Sequence, residues 1–138
     1  MTNSINDIHL ADVLLVTGSN TTEAHPVISL EMKKAVRLRG AKLILIDPRE
    51  IELADFATLH LRPRSGTDVA LLNTLAHVII EHGWAKEEFI TARTENFDAL
   101  KEAVKDCTPQ WGEDITGVPA EMIIEAAQIY SQAGSAAI

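Results

Sequence analysis

Val13-Leu14-Leu15-Val16-Thr17-Gly18-Ser19-Asn20-Thr21-Thr22-Glu23-Ala24-His25-Pro26 decides the fold. An apolar run rich in β-branched residues breaks at Gly18 into small polar residues. Pro26 then restarts the chain in a helical pattern. Proline suits the first turn of a helix, where its missing N–H has no intrahelical partner to lose. Strand, polar loop and helix, in that order, are how α/β folds set a ligand crevice at the carboxyl end of a strand. Because Val13–Val16 is apolar on both faces, it reads as a parallel strand covered on both sides.

The neighbouring segments extend the pattern. Ser4 is placed to cap a short helix over 5–10, with Asp7 completing a capping box. After Pro26, residues Ile28, Met32, Ala35 and Val36 recur at helical spacing to about Leu38, and Gly40 stops the helix. Asp12 and the charged face from Lys33 to Arg39 read as plain surface. Ala41–Ile46 is a second apolar strand ending at Asp47-Pro48-Arg49. A helical turn over 50–55 follows, then a short edge strand over 58–61. Such crossovers imply a parallel sheet wound right-handed.

Arg62-Pro63-Arg64-Ser65-Gly66-Thr67-Asp68 is a loop opening a helix from about Val69 to Glu81. Leu71, Leu72, Leu75, Val78 and Ile79 are expected on its buried side. Further helices are predicted over 86–94, 97–106, 109–115 and 119–133, the last burying Ile123, Ala126, Ala127 and Tyr130. Gly134-Ser135-Ala136-Ala137-Ile138 reads as an incoming strand cut short, so the chain is expected to be excised from something longer. The fold expected is one α/β domain over 1–138. It is a three-layer, Rossmann-like parallel sheet with flanking helices and a helical C-terminal part.

Composition excludes several functions. A net charge of −8 lacks the basic surface that nucleic acid or an anionic membrane attracts. At 4% aromatic residues there is no stacking platform for single strands. No apolar run approaches the roughly 18 residues of a membrane span. Nor does the N-terminus carry a positive region and apolar core like a secretory signal. Cys107 is the only cysteine, so an internal disulfide, a CxxC pair and a cysteine metal cluster are all ruled out. It reads as a small half-buried residue near a helix end.

In an open parallel sheet the loops after the three strands emerge at one carboxyl edge, where ligands bind. Their contents suit a nucleotide. Gly18 and Ser19 let the backbone approach phosphate, and the helix start beyond offers free N–H groups and a positive dipole end. Asp47 ends the second strand where dinucleotide folds place the acid that holds ribose hydroxyls. Arg49 and Arg64 can neutralise phosphate, and Asp68 can accept paired N–H donors from a guanine edge. Each residue also has a plainer reading. Asn20 can close an Asx-turn, and Thr22 or His25 can cap a helix. Asp47 can be turn chemistry before Pro48, and Thr67 and Asp68 can be the cap and first turn of the next helix. The five histidines show no metal spacing; His77 and His82 are i, i+5 and do not face one ion. Glu23 and His25 make only a weak acid–base pair. The chain reads as a binding domain with no catalytic and no metal-ligating residue of its own.

These residues resemble a known family. The matching stretches are Met1-Thr2-Asn3-Ser4-Ile5, Val16 to Pro26, Gly40-Ala41-Lys42-Leu43-Ile44 and Asp47-Pro48-Arg49. They continue with Gly66-Thr67-Asp68-Val69-Ala70-Leu71-Leu72-Asn73, His77-Val78-Ile79-Ile80-Glu81 and Thr116-Gly117-Val118-Pro119. Together they span essentially the whole chain. They are similar to an internal segment of the catalytic subunits of molybdopterin oxidoreductases (the dimethyl sulfoxide reductase family), most closely formate dehydrogenase alpha subunits.

The resemblance implies that the segment holds one guanosine arm of molybdopterin guanine dinucleotide. The arm would be lined by Gly18, Ser19, Asn20, Glu23, Asp47, Pro48, Arg49, Gly66 and Asp68. It further implies a parent enzyme that oxidises formate to carbon dioxide at molybdenum or tungsten and passes electrons to a 4Fe-4S cluster. The partners implied are the remaining domains of that alpha subunit and its electron-transfer subunits, with no nucleic acid and no membrane insertion by this segment. The parent is expected in the cytoplasm, with the periplasm as the alternative. The family's iron–sulfur cysteines and its metal-ligating cysteine or selenocysteine have no counterpart in this chain, so no formate oxidation is expected of it alone. Ser65 departs from the proline common before the Gly-Thr-Asp turn, which loosens that loop. Three alternatives stay open at this point. They are another molybdopterin oxidoreductase such as a nitrate reductase, a nicotinamide or flavin nucleotide-binding domain, and a non-catalytic nucleotide-sensing module.

Overall fold

The computed structural model describes residues 4–138, so Met1, Thr2 and Asn3, which open the first matching stretch, lie outside the described residues. The fold is α/β, with a four-stranded parallel sheet flanked by helices. Its strands are β1 (Val13–Thr17), β2 (Lys42–Ile46), β3 (Leu59–Leu61) and β4 (Ala136–Ala137), in the order β3-β2-β1-β4. The helices are α1 (Thr21–Ala24), α2 (Pro26–Arg39), α3 (Asp68–Glu81), α4 (Glu87–Arg93), α5 (Phe97–Val104), α6 (Pro109–Thr116) and α7 (Ala120–Ser131). Two 3₁₀ turns, Ile5–Leu10 and Glu52–Phe56, complete the set among the described residues. Contacts divide the chain into two compact units. One is the chain up to Arg62 together with Ala133–Ile138, and the other is Pro63–Gln132.

The first unit is the sheet with its near helices. The Ser4 capping box forms as the spacing predicts, over a 3₁₀ turn. β1 and β2 pair from Val13 opposite Lys42 to Thr17 opposite Ile46, and β3 is the edge strand, joining at Ile44 opposite Leu59. Leu14, Val16, Leu43 and Leu45 form a core with Ala35 of α2 and with Ile51 and Leu53. Val13, Leu15, Ile44 and Ile46 alternate with them and are buried too, as both-face apolar strands require. Each such leucine or isoleucine stabilises the fold by about 1.5–3 kcal/mol.

Two surface expectations are corrected here. Lys33 ion-pairs with Glu52 at 2.7 Å, and Lys33 and Arg37 lie 5.2 and 4.7 Å over the Phe56 ring, pinning the Glu52–Phe56 turn to α2. Asp12 is bonded to Ser135 at the start of β4. The expected strand at Ala136 is therefore present, pairing Val13 with Ala136 and Leu14 with Ala137.

The second unit is helical. α3 packs against α5, α6 and α7, and α6 packs against α7. The buried stripe of α3 is Leu71, Thr74, Leu75 and Val78, not the all-aliphatic one expected: Leu72 is 43% exposed. Thr74 goes inside because its hydroxyl donates to the Ala70 carbonyl at 2.9 Å, leaving no unpaired polar atom. Its small side chain also lies close against Gly112 of α6. α7 buries Ile123, Ala126 and Ala127, with Tyr130 half-buried. Cys107 is buried just past α5, deeper than its sequence neighbourhood suggests.

Candidate functional site

β1 and β2 end side by side. The Gly18 N–H donates to the Ile46 carbonyl at 3.2 Å, so the loop after β1 starts beside Asp47, the first residue beyond β2. Gly18 has φ +61, a conformation that costs a non-glycine residue energy, and the space beside its Cα is open. Ser19 is half-buried, and Asn20 precedes the single turn of α1 without capping it through its side chain. The Asn20 Oδ1 is buried with no hydrogen-bond partner among the described residues. A buried acceptor left unpaired costs about 1–3 kcal/mol, so it marks a place for a missing donor. The Asx-turn reading of Asn20 does not account for it. Glu23 is exposed, and its charge reaches Arg49.

The turn after β2 is the most constrained part of the edge. Asp47 is 1% exposed. Its Oδ1 accepts from the Arg49 backbone N–H at 2.8 Å and from Arg49 Nε at 3.0 Å, while its Oδ2 accepts from Arg49 Nη2 at 3.0 Å. This is an Asx-turn and a bidentate fork in one residue pair. The Arg49 side-chain hydrogen bond, helped by its backbone N–H and by the charges of Arg49 and His60, holds the Asp47 carboxyl below the usual range against the opposing effect of burial. The same carboxylate raises the affinity of Arg49 for its proton. Arg49 is 64% exposed along its side chain, so a fixed cation is offered to solvent on a buried anion. Asp47 thus carries the turn chemistry, with both its oxygens taken by Arg49, and Arg49 is the accessible group. Pro48 is exposed at the tip.

Two residues that sequence reasoning passed over hold this turn. His60 Nε2 donates to the Asp47 carbonyl at 2.9 Å, and Arg62 Nε donates to the Pro48 carbonyl at 3.2 Å. Their i, i+2 spacing at the end of an edge strand was the available signal, since alternate residues share a strand face.

In the second unit, Gly66 has φ +83 and lies in open space in the loop before α3. Asp68 is the exposed first residue of α3. Thr67 precedes it without capping through its hydroxyl, which donates instead to the Arg64 carbonyl at 2.7 Å. Arg64, read as a phosphate partner, turns toward α6. Its Nη1 donates to the carbonyls of Asp114 and Ile115 at 2.8 and 3.2 Å, at the negative end of that helix.

His77 of α3 and His82 at its C-cap are structural. His77 Nδ1 meets the Val104 carbonyl at 2.9 Å and His82 Nδ1 the Val78 carbonyl at 2.9 Å. Among the described residues no three His, Cys, Asp or Glu side chains gather as a metal site would need. No helix among them is long and apolar enough to cross a membrane.

Comparison with known proteins places this arrangement. All of residues 1–138 match the molybdopterin oxidoreductase family model. The chain belongs to the molybdopterin oxidoreductase family. Over its full length it is 48% identical to the F420-dependent formate dehydrogenase 2 subunit alpha of Methanococcus maripaludis, covering 20% of that protein. It is 44% identical to formate dehydrogenase H of Escherichia coli, covering 19%. Among solved structures, acetylene hydratase from Pelobacter acetylenicus matches 97% of the chain with a TM-score of 0.87 and 30% identity, over 20% of its own length. The chain therefore spans about a fifth of the relatives it matches. For a molybdopterin oxidoreductase, a molybdopterin cofactor is the family's expected ligand.

In the first unit, the donor and acceptor types at the strand ends are ones a phosphate-bearing ligand can use. Arg49 presents an exposed, forked guanidinium, and Asn20 Oδ1 has no donor among the described residues.

Proposed function

We propose that this chain is the segment of a formate dehydrogenase alpha subunit that holds the guanosine arm of molybdopterin guanine dinucleotide. Gly18, Ser19, Asn20 and Glu23 form one set of contacts and Asp47, Pro48 and Arg49 a second, while the family resemblance of the Gly66-Thr67-Asp68 stretch supports Gly66 and Asp68 as a third. One observation carries the reading. The fork from Asp47 presents Arg49 at the end of β2, directly beside the Gly18 turn that ends β1. Anionic ligands in open α/β sheets bind at this edge.

The cofactor, when bound, supplies the metal-centred redox chemistry. The chain's own residues bind and orient. Arg49 neutralises phosphate, and Asp47 keeps that guanidinium aimed. Asn20 Oδ1 accepts from a ribose hydroxyl or a base N–H. The Asp68 carboxylate accepts the paired N–H donors that guanine has and adenine lacks. Formate oxidation, the 4Fe-4S cluster, the electron-transfer subunits and a cytoplasmic location belong to the parent enzyme in this reading. The chain alone is expected to show no formate turnover. The fold by itself does not choose the reaction, since the structural match bears the name of a hydratase.

Calorimetric titration of the chain with GDP, ADP and NAD tests the reading. Preference for GDP, lost in Asp68→Ala, supports it. Equal affinity for GDP and ADP, or no GDP binding by a chain that melts cooperatively, overturns it.

A further inference from the structure

We propose that His60, assisted by Arg62, is a positioning residue for this site: it holds the Asp47-Pro48-Arg49 turn by its carbonyls so that the Arg49 guanidinium is presented in one fixed direction. The inference rests on the nucleotide-binding reading for its consequence, although the geometry stands without it.

Every backbone polar group from the Asp47 N–H to the Arg49 N–H is paired. The Asp47 N–H donates to the Leu61 carbonyl at 3.2 Å, and the Asp47 carbonyl accepts from His60 Nε2 at 2.9 Å. Proline has no N–H to satisfy, and the Pro48 carbonyl accepts from Arg62 Nε at 3.2 Å. The Arg49 N–H closes onto Asp47 Oδ1 at 2.8 Å. Three consecutive residues of the edge segment, His60, Leu61 and Arg62, therefore grip the turn from one side. Because the partner of His60 is a carbonyl, Nε2 must carry a proton, which both the Nε2–H tautomer and the imidazolium provide.

The grip matters because of what the turn carries. Asp47 is buried, so its carbonyl cannot turn to water if the imidazole is removed without moving the residue. Moving Asp47 moves both carboxylate oxygens, and the fork on Arg49 goes with them. An exposed arginine without its fork is a flexible side chain that must be ordered when an anion binds. A forked one is ordered beforehand.

The test uses the full chain and two readouts. The first is hydrogen exchange of the Arg49 Nε–H by NMR, which needs no ligand. His60→Leu is expected to speed that exchange about tenfold, the loss of roughly one hydrogen bond's protection. His60→Gln, which keeps an N–H donor near the Nε2 position, is expected to restore slow exchange. Arg62→Ala, at an exposed side chain, speeds exchange to a smaller degree and serves if His60→Leu does not fold. The second readout is GDP affinity, expected to fall about tenfold in His60→Leu, to recover in His60→Gln, and to show no further loss when His60→Leu is added to Arg49→Ala.

Unchanged Arg49 exchange in a folded His60→Leu or Arg62→Ala variant overturns the positioning role. So does a GDP loss from His60→Leu that persists in full on Arg49→Ala. If wild type and Arg49→Ala bind GDP alike, or neither binds, the nucleotide reading fails separately, and the exchange comparison still decides whether His60 holds the turn.

Discussion

The Asp12 carboxylate and Ser135 clasp each other across 123 residues of chain. Asp12 Oδ2 accepts from the Ser135 N–H at 3.0 Å and from its hydroxyl at 3.1 Å. In return the Asp12 N–H lies 3.2 Å from the hydroxyl oxygen and 3.0 Å from the carbonyl of Ser135. β4 contributes only two residues to the sheet, too few for ladder bonds alone to set its register. The clasp places it one residue before the pairing of Val13 with Ala136.

Asp12→Ala therefore removes two acceptor bonds at the mouth of β1. Both residues are exposed, so the cost is at the low end for bonds to a charged group, about 1–1.5 kcal/mol. Urea titration of the variant checks this. Amide exchange at Ala136 and Ala137 is expected to rise more than at Leu43 or Leu45. Uniform destabilisation without selective loss of β4 would count against the clasp.

The sheet was legible because β1 and β2 are apolar on both faces, a pattern with one inexpensive solution, a covered parallel strand. The Asp12 clasp was not, because it depends on where residue 135 returns in space. The same limit hid His60. Its bond to the Asp47 carbonyl follows from Ile46 pairing with Leu61, and that register is set by the whole sheet. At Arg64 the sequence shows a charge, while the carbonyls that take it lie 50 and 51 residues away. In α3 an apolar count put Leu72 inside and missed Thr74, whose hydroxyl is satisfied within its own helix. The positions of Asp47 and Gly18 at the strand ends were legible because a strand's end is set by local sequence. The fork was not, since Arg49 could equally have pointed into solvent.

Gly112 of α6 lies against Thr74 of α3. A Cβ there would stand 2.5 Å from Thr74 Oγ1 and 2.8 Å from its Cγ2. Gly112→Ala should gain about 1 kcal/mol of helix propensity and lose about 1–3 kcal/mol to overpacking, a net destabilisation. Adding Thr74→Ala, which removes both clashing atoms, is expected to recover part of the loss. A double-mutant cycle by thermal melting reads the coupling, and strictly additive effects would show that the contact is not what excludes a side chain.

Cys107 is buried, and burial together with the nearby Asp106 charge pushes its thiol up from the ordinary value. The thiolate is the reactive form. At pH 8 the folded chain should alkylate with iodoacetamide at least about tenfold more slowly than free cysteine. The rate should rise to the free value in urea. Fast modification of the folded chain would mean that the segment after α5 opens readily.

The Asp47–Arg49 fork makes stability depend on acid in a definite sense. The folded carboxyl is held below its usual value, first by the Arg49 side-chain hydrogen bond, then by its backbone N–H and by positive charge, against burial. A depressed folded value means that the folded state binds fewer protons than the unfolded one in that range. Stability is then gained as pH rises. The contribution is fully present above the unfolded carboxyl value of about 4 and is lost as pH falls through the lower folded value. Asp47→Asn removes the titrating group and replaces an acceptor facing Arg49 with an amide that cannot accept at both atoms. Wild type is expected to exceed this variant in urea midpoint at pH 7 and pH 5. The gap should narrow steadily between pH 4 and pH 2, since protonated Asp47 is nearly as poor a partner as asparagine. If the gap is constant across that range, the fork contributes nothing that titrates, and the aim of Arg49 must come from the backbone grip of His60 and Arg62 alone.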